Sequence, residues 1–368
     1  MTTRINRKPP RMDTLLRYAQ MLGFGAIHTK IDPKNNLRSI VAVHNTDLGP
    51  AIGGCRFYPY TAWSNAYKDV LRLAYMMTLK SAISELPHGG AKAVIMYPKH
   101  FFDRSALMHS FGEFVQQLQG RYITSMDVGT TAEDMDIIYE RTPYVIGSTK
   151  TLHHDPSLYT GLGIFRGLEA AVLFKLQRDT LEGVHVVLQG AGKVSYIICQ
   201  YLHAAKANIT ICDINPAALV RYQDEFQAKV VDPERIYDIP CDIFSPAAIG
   251  GTLNKHTIER LNTSIVAGAA NNQLAHHRFT HLLEKKNILY APDYVINAGG
   301  VIYAALAYDH KSEAEILRQV HAIYPRLLKI FETARATGQS TTDVADQLAK
   351  KILQERRPTS VESENIYV

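Results

Sequence analysis

Two lysines on either side of a glycine pair are the residues of MTLKSAISELPHGGAK whose types and spacing suggest chemistry. Lys80 precedes Gly89 and Gly90, and Lys92 follows them. A helix carrying the first lysine and a glycine-rich bend beside the second would hold two ammonium groups over one small pocket. Such a pocket suits a carboxylate, and the charge of one lysine would lower the pKa of the other enough to make it a base near neutral pH. The alternative is a pair of solvated surface lysines.

A second chemical feature is the glycine turn in VVLQGAGKVS, which follows an apolar run and opens a helix. Gly190 and Gly192 would let the backbone approach a diphosphate group. Lys193 and Val194 begin the helix, whose free amides would stabilise the negative charge. Ser195 stands where this fingerprint usually has a third glycine, yet it is small enough for close packing. The turn predicts a dinucleotide site.

An acidic residue follows at the end of the next apolar run, as this site requires. Asp213 closes the segment ITICD, and its carboxylate could accept hydrogen bonds from both ribose hydroxyls. A carboxylate at this place favours NAD over NADP. The alternative is that Asp213 only caps a helix that begins near Asn215. We expect NAD as the cofactor.

Composition limits the class of protein. The 368 residues are enough for two domains, and 46% hydrophobic with 20% charged residues is typical of a soluble globular chain. No apolar run is long enough to span a bilayer, so we expect no membrane partner. The net charge of +5 is spread along the chain, so we expect no nucleic-acid partner.

The N-terminal residues contain the one local excess of positive charge. Arg4, Arg7, Lys8 and Arg11 precede the first acidic residue, without the apolar segment of a signal peptide. We interpret them as a loose basic arm.

Cysteine and histidine spacing favours no metal site. The four cysteines show no CxxC spacing, which fits reduced thiols in a cytoplasm. His153-His154-Asp155 is interpreted as a loop, because adjacent histidines point in different directions.

Two patterns of secondary structure divide the chain. The first part is expected to be α+β, with a hairpin turn at 32–36 and a bend at Gly89-Gly90. We expect helices at 14–22, 64–81 and 105–118 and strands at 26–30, 39–44, 93–96 and 122–128. From residue 159 onward, apolar strands alternate with helices, which predicts a parallel sheet. Its strands are expected at 185–189, 208–212, 242–244, 264–266 and 288–290, and its helices at 161–176, 313–337 and 342–354.

Long, ordered motifs over nearly the whole chain resemble the Glu/Leu/Phe/Val dehydrogenase family, most closely its leucine dehydrogenase branch. They are LGPAIGGCRF, MTLKSAISELPHGGAKAVI, GRYITSMDVGTTAEDMDIIYERT, LQGAGKV, DINP, AGAANNQL and PDYVINAGGVI. The resemblance implies a two-domain α/β fold with the active site in the cleft between the domains. Residues 1–146, completed by a C-terminal helix at about 338–368, would form the substrate-binding and oligomerisation domain. Residues 147–337 would form a Rossmann-type NAD domain.

The resemblance also implies roles for individual residues. Lys92 and Asp127 match the catalytic pair, and Lys80 with Asn272 would bind the substrate α-carboxylate. Hydride transfer from the α-carbon to NAD would leave an imino acid, and addition of water with loss of ammonia would give the 2-oxo acid. The other matched residues are the cofactor-lining Thr160, Asn271 and Asn297, and the substrate-bordering Gly53 and Gly54.

The side chain of the substrate should be apolar. Met77 lies one helical turn before Lys80, and an uncharged side chain there disfavours glutamate. Ile52, Val301 and Ala304 would complete the apolar wall. We expect branched-chain L-amino acids as substrates.

Two alternatives stay open. Ala304 stands where leucine enzymes usually carry valine, and this wider pocket could admit phenylalanine or tryptophan. His88, Ala91, Ser125 and Met126 also depart from the family pattern. A catalytically degenerate homologue that only binds NAD or an amino acid is the second alternative. The resemblance further implies a homo-oligomer, as an octamer, a tetramer or a dimer.

Overall fold

The computed structural model describes residues 12–151 and 155–356, which divide into two compact units. The first unit contains the described residues up to 151 together with 349–356, and the second contains 155–348. The basic arm at Arg4, Arg7, Lys8 and Arg11 lies outside the described residues. His153-His154 and the part of the predicted C-terminal helix beyond residue 356 also lie outside them.

The first unit is a mixed sheet covered by helices. Its elements are α1 (Met12–Leu22), β1 (Ala26–Asp32), β2 (Leu37–Asn45), β3 (Ala51–Tyr58), α2 (Trp63–Ile83), β4 (Gly89–Met96), α3 (Arg104–Gln117), β5 (Tyr122–Met126), α4 (Ala132–Tyr139) and β6 (Val145–Ile146). The strand order is β1-β2-β4-β3-β5-β6. The predicted hairpin is confirmed, since β1 and β2 pair in antiparallel register. Strands β4, β3, β5 and β6 run parallel to one another.

Two hydrophobic clusters sandwich this sheet, and strand alternation assigns each residue to one of them. Odd-numbered residues of β4, such as Ala93 and Ile95, join the cluster that includes α3. Val94 and Met96 join the cluster that includes α2. Because side chains alternate along a strand, the even-numbered Lys92 lies on the α2 face of the sheet. Strand β4 is buried along its whole length, which explains its almost unbroken apolar sequence.

One sequence prediction in this unit is wrong. Gly89 and Gly90 do not form a bend, because they are the first two residues of β4. Both are glycines because other groups approach their backbone closely. A Cβ on Gly89 would lie 1.9 Å from the carbonyl oxygen of Asn45, and one on Gly90 would lie 2.1 Å from the amide nitrogen of Thr78. The glycine pair serves close packing rather than a turn.

The second unit is a parallel sheet wrapped by helices, as its sequence pattern predicts. Its strands are β7 (His185–Gln189), β8 (Asn208–Cys212), β9 (Lys229–Val230), β10 (Cys241–Pro246), β11 (Thr263–Val266) and β12 (Leu289–Tyr290). The order is β12-β11-β10-β7-β8-β9, and each neighbouring pair is parallel. Its helices are α5 (Pro156–Leu176), α6 (Lys193–Ala204), α7 (Pro216–Phe226), α8 (Lys255–Arg260), α9 (Thr280–Lys285), α10 (Asp293–Ile296), α11 (Gly299–Tyr308), α12 (Glu313–His321), α13 (Ile323–Thr337) and α14 (Thr341–Glu355). The last helix ends in the first unit.

The helix predicted at 313–337 is in fact two helices. Helix α12 ends at His321, and α13 begins at Ile323. Pro325 lies in the first turn of α13, where its missing N–H is tolerated, whereas in a continuous helix it would interrupt the hydrogen bonds. Among the described residues, no helix is long and apolar enough to cross a membrane.

Candidate active site

The α2 face of the first sheet brings together residues from three neighbouring strands. On β3, Cys55 and Phe57 pack in the cluster with α3, so Gly54 and Arg56 lie on the opposite face, with Lys92. Strand β5 pairs with β3 and ends at Met126, one residue before Asp127. Three strand positions and one strand end therefore converge on one small area.

At the centre of this area, two cationic side chains contact the same carboxylate oxygen. Lys92 Nζ lies 2.9 Å from Asp127 Oδ2, and Arg56 Nε donates to the same oxygen at 3.1 Å. Lys92 is only 7% exposed, so its ammonium is nearly removed from water. The structure thus brings Lys92 and Asp127, which the sequence analysis matched to the catalytic pair, into direct contact.

The turn after β5 holds the Asp127 backbone in place. The Asp127 amide donates to Thr130 Oγ1 at 2.9 Å. The Thr130 hydroxyl lies 3.0 Å from the carbonyl oxygens of both Cys55 and Asp127. Through Thr130, the Asp127 backbone is thus hydrogen-bonded to β3 as well as within its own turn.

The electrostatics of Asp127 favour the charged form. Burial of the carboxyl group raises its pKa, but the positive charges of Lys92 and Arg56 more than offset this. The pKa of Asp127 lies below its ordinary value of 3.8. The group is a carboxylate at neutral pH and can accept a proton only transiently.

The predicted glycines of β3 are required by crowding around this pair. A Cβ on Gly54 would lie 2.6 Å from the carbonyl oxygen of Met126 and 3.3 Å from Lys92 Nζ. A Cβ on Gly53 would lie 1.7 Å from the carbonyl oxygen of Ala91. Any side chain at either position would push the strands apart. Ile52 precedes them on the same strand and is buried.

Helix α2 presents the remaining predicted residues of the first unit. Met77 and Lys80 are both half-buried and lie one turn apart on this helix. The contact of Gly90 with Thr78 packs this part of α2 against β4, the strand that carries Lys92. The two lysines therefore belong to elements in direct backbone contact.

The glycine turn of the second unit fits a dinucleotide. Gly190 has φ +114°, and its amide donates to the Cys212 carbonyl oxygen at 2.9 Å. A Cβ on Gly192 would meet no atom within 4 Å, so this glycine is not required by packing of the chain itself. Gly192 is the N-cap of α6, and no side chain caps that end. The amides of Lys193 and Val194 follow at this end, which is the arrangement that binds a diphosphate.

Asp213 belongs to the same turn. Its Oδ2 accepts from the Ala191 amide at 2.7 Å, and its Oδ1 accepts from the Asn215 amide at 2.8 Å. The alternative in which Asp213 caps α7 is wrong, because the N-cap of α7 is Asn215, whose side chain accepts from the Ala217 amide. The carboxylate lies at the end of β8, beside the glycine turn.

Further contacts arrange the predicted cofactor residues of this unit. Asn297 Nδ2 donates to Asn271 Oδ1 at 2.8 Å and is also 3.1 Å from the Ala269 carbonyl oxygen. Thr160 Oγ1 donates to the Pro156 carbonyl oxygen at 3.0 Å, and a Cβ on Gly300 would lie 2.5 Å from this hydroxyl.

The predicted substrate residues of the second unit lie on two segments. Asn272 has a left-handed backbone conformation with φ +51°, and its carbonyl oxygen accepts from the Gly251 amide at 2.7 Å. Val301 and Ala304 lie one turn apart on α11, and both are half-buried.

Sequence analysis missed Arg56. It lies two positions after Gly54, in a motif from which the sequence analysis took only Ile52 and the glycines as site residues. Recognising β3 would have placed it on the face of Gly54, because residues 54 and 56 of a strand share a face. Its contact with Asp127 also depends on the pairing of β3 with β5.

Comparison with known proteins agrees with these features. Residues 26–144 match the family model for the Glu/Leu/Phe/Val dehydrogenase dimerisation domain, and residues 214–350 match the model for Glutamate/Leucine/Phenylalanine/Valine dehydrogenase. A leucine dehydrogenase from Thermoactinomyces intermedius is 43% identical over 330 residues, which are 89% of this chain and 90% of the relative. An L-tryptophan dehydrogenase from Nostoc punctiforme is 43% identical over 319 residues, 85% of this chain and 89% of the relative.

Structural similarity extends over nearly the whole chain. The crystal structure of L-tryptophan dehydrogenase from Nostoc punctiforme superimposes with a TM-score of 0.83 at 39% identity, covering 93% of this chain and 99% of that one. The prediction of a two-domain α/β fold is confirmed. The chain belongs to the Glu/Leu/Phe/Val dehydrogenase family and is an amino-acid dehydrogenase.

Proposed function

We propose that this chain catalyses the reversible, NAD-dependent oxidative deamination of branched-chain L-amino acids to 2-oxo acids and ammonia. The observation that carries the proposal is the contact of the buried Lys92 with the half-buried Asp127, with Nζ and Oδ2 2.9 Å apart. A binding protein needs no such acid–base pair. The degenerate alternative would therefore leave this charged pair without a use.

Substrate binding is assigned to Lys80 of α2. Lys80 would pair with the α-carboxylate, with Asn272 as a second donor. An ammonium group bound to a carboxylate makes a charge-assisted hydrogen bond, which is stronger than a neutral one. Gly53 and Gly54 would border the substrate, because a glycine backbone allows the closest approach.

Lys92 and Asp127 are assigned the proton transfers. As a neutral amine, Lys92 would take a proton from the water that adds to the substrate carbon, and as an ammonium it would stabilise the developing oxyanion. Asp127, ionised at rest, would relay that proton from Lys92 to the departing amine and would return to its carboxylate form as ammonia leaves. When bound, NAD would accept the hydride from the α-carbon.

The second unit supplies the residues that would hold the dinucleotide. The backbone of Gly190 and Gly192 and the amides of Lys193 and Val194 would bind the diphosphate, and Asp213 would bind the ribose hydroxyls. Thr160, Asn271 and Asn297 would border the nicotinamide. The carboxylate of Asp213 would repel a 2′-phosphate, which supports NAD rather than NADP.

The side-chain preference rests on uncharged residues. The residues proposed to contact the substrate side chain, Met77, Ile52, Val301 and Ala304, are all uncharged, so a second carboxylate would find no partner among them. The similarity to leucine dehydrogenases supports aliphatic substrates. Two observations favour an aromatic alternative: Ala304 is small, and an L-tryptophan dehydrogenase shares 43% identity with this chain, the same figure as the leucine enzyme.

We also propose that the enzyme is a cytoplasmic homo-oligomer, as an octamer, a tetramer or a dimer. The match of residues 26–144 to a dimerisation-domain model supports self-association. The domain limits at 146 and 337 are part of the same proposal.

Formation of NADH from NAD⁺ and leucine tests the assignment of the catalytic lysine. We expect Lys92→Ala to lose turnover by about 10²-fold to 10⁴-fold while it still binds NAD. Lys68→Ala, at an exposed position of α2, is the matched control and should keep full activity. Full activity of Lys92→Ala would refute the assignment.

A further inference from the structure

Arg56 joins Asp127 to a second half-buried carboxylate, that of Asp69. Its Nε donates to Asp127 Oδ2 at 3.1 Å, while its Nη1 donates to Asp69 Oδ2 at 2.8 Å. The two carboxylates come from different elements, the turn after β5 and helix α2. One guanidinium thus bridges the candidate catalytic group and a helix residue outside the substrate-binding set.

Besides Arg56, two further donors hold Asp69. Tyr60 Oη donates to Asp69 Oδ2 at 2.7 Å, and Arg72 Nη2 donates to Asp69 Oδ1 at 3.1 Å. Both oxygens of Asp69 are therefore oriented. The planar guanidinium of Arg56 cannot rotate away from Asp127 without giving up its bond to this fixed acceptor.

The charge of Arg56 matters because its neighbour changes protonation during the proposed reaction. Lys92 and Arg56 share the same oxygen of Asp127. When Lys92 gives up its proton, its positive charge disappears. A mostly buried carboxylate with no remaining cation would then attract the proton that Lys92 must hold for the next step. A guanidinium remains protonated under all these conditions, so Asp127 keeps one positive partner.

The other ionisable groups near Asp127 do not replace that charge. Cys55 on β3 and Tyr122 on β5 both interact with it electrostatically, but burial raises the pKa of each well above its ordinary value. Both are neutral at physiological pH. Among the described interactions of Asp127, the positive charge comes from Lys92 on β4 and Arg56 on β3.

We propose that Arg56 is a positioning residue, which keeps Asp127 ionised and oriented while Lys92 loses and regains its proton. This inference rests on the proposed function for the roles of Lys92 and Asp127. Asp69 extends the arrangement by orienting Arg56. Neither Arg56 nor Asp69 needs to touch the substrate.

The test measures the ionisation of Asp127 directly, and so does not depend on turnover. The carboxyl ¹³C shifts of the full-length protein with labelled aspartate would be followed against pH, with Asp127→Asn used to assign the signal. In Arg56→Gln we expect the Asp127 titration to move to higher pH by about one unit or more. An unchanged titration would overturn the inference.

Two further variants distinguish the effect of the Arg56 charge from the effect of its position, and they guard against a result caused by misfolding. Arg56→Lys keeps the charge but cannot bridge both carboxylates, so we expect a smaller shift than in Arg56→Gln. Asp69→Asn leaves Arg56 in place and should also give a smaller shift in the same direction. Arg260→Gln, which removes an arginine paired with Asp238 in the second unit, is the matched control and should give none. A shift in the control equal to that in Arg56→Gln would contradict a specific role.

Kinetics then link the titration to the reaction. In Arg56→Gln the pH profile of kcat/KM should change together with the Asp127 titration, with NAD binding unchanged. If the wild type turns over amino acids but Arg56→Gln changes neither the Asp127 titration nor the pH profile, the role of Arg56 is overturned. The proposed function would then still stand. A shifted titration in a protein with no amino-acid turnover would refute the proposed function and leave the electrostatic role of Arg56 standing.

Discussion

Gly90 lies directly beneath Thr78, so that a Cβ added to the glycine would stand 2.1 Å from the Thr78 amide nitrogen and 2.2 Å from its hydroxyl oxygen. Thr78 is two residues before Lys80 on α2, and Gly90 is two residues before Lys92 on β4. This contact sets how closely the helix with one lysine approaches the strand with the other. The spacing of the two lysines therefore depends on a position that has no side chain.

Replacement of Gly90 should disturb both stability and the site. In Gly90→Ala the new methyl group meets backbone, which cannot move aside as a flexible side chain would. We expect a loss of about 2 kcal/mol or more in the free energy of unfolding, since overpacking of a dense core costs this much. Urea unfolding at matched protein concentration would measure it. A variant as stable as the wild type would show that α2 and β4 are less tightly packed than described.

Replacement of Gly192 should have the opposite effect, with little loss of stability but weaker binding of NAD. A Cβ at this position meets no atom within 4 Å, so Gly192→Ala should change the free energy of unfolding by less than about 0.5 kcal/mol. The methyl group would occupy the space where we place the diphosphate, so the Kd for NAD should rise at least about tenfold. Calorimetric titration with NAD would measure this. Unchanged affinity would argue against the diphosphate site at this turn.

The contrast between these two glycines shows what the sequence could and could not reveal. The turn at Gly190 and Gly192 was predictable because a strand, a glycine turn and a helix follow one another within a few residues. The role of Gly90 depends on a helix packed from outside the local sequence, so a glycine pair that looked like a bend proved to be the start of a strand.

The surroundings of Asp127 could likewise be predicted from the sequence only in part. The motif DVG marked Asp127, and the strand pattern of the second unit correctly predicted its parallel sheet. The partnership of Arg56 with Asp127 required the pairing of β3 with β5, which no local pattern encodes. The break between α12 and α13 was predictable from Pro325, but helical periodicity on both sides concealed it.

The ionisation of Asp127 should make part of the stability depend on pH. Its pKa is lower in the folded protein than the ordinary value of 3.8, so its contribution is present above about pH 4 and is lost as pH falls through the folded-state value. We expect the difference in free energy of unfolding between the wild type and Asp127→Asn to be constant above about pH 5 and to shrink below pH 3.8. Denaturant unfolding between pH 3 and pH 6 would test this. A difference that stays constant down to pH 3 would contradict the lowered pKa.

Asp213 should control the choice of dinucleotide. Asp213→Ser removes the negative charge but keeps a small acceptor for the turn amides. We expect the ratio of kcat/KM for NAD to that for NADP to fall by about tenfold or more, because the repulsion of a 2′-phosphate is lost. Thermal unfolding of the variant would be the control, since Asp213 also accepts from the Ala191 amide. An unchanged ratio in a folded variant would limit Asp213 to a structural role.

Steady-state kcat/KM values for leucine, valine, phenylalanine, tryptophan and glutamate, measured by NADH absorbance with the wild-type enzyme, test the central claim most directly. The account predicts that leucine and valine lead, that the aromatic amino acids follow and that glutamate is not oxidised. A lead for phenylalanine or tryptophan would contradict the branched-chain preference and show that Ala304 opens the pocket to a ring. The absence of turnover with any amino acid, with NAD still bound, would contradict the proposed reaction itself.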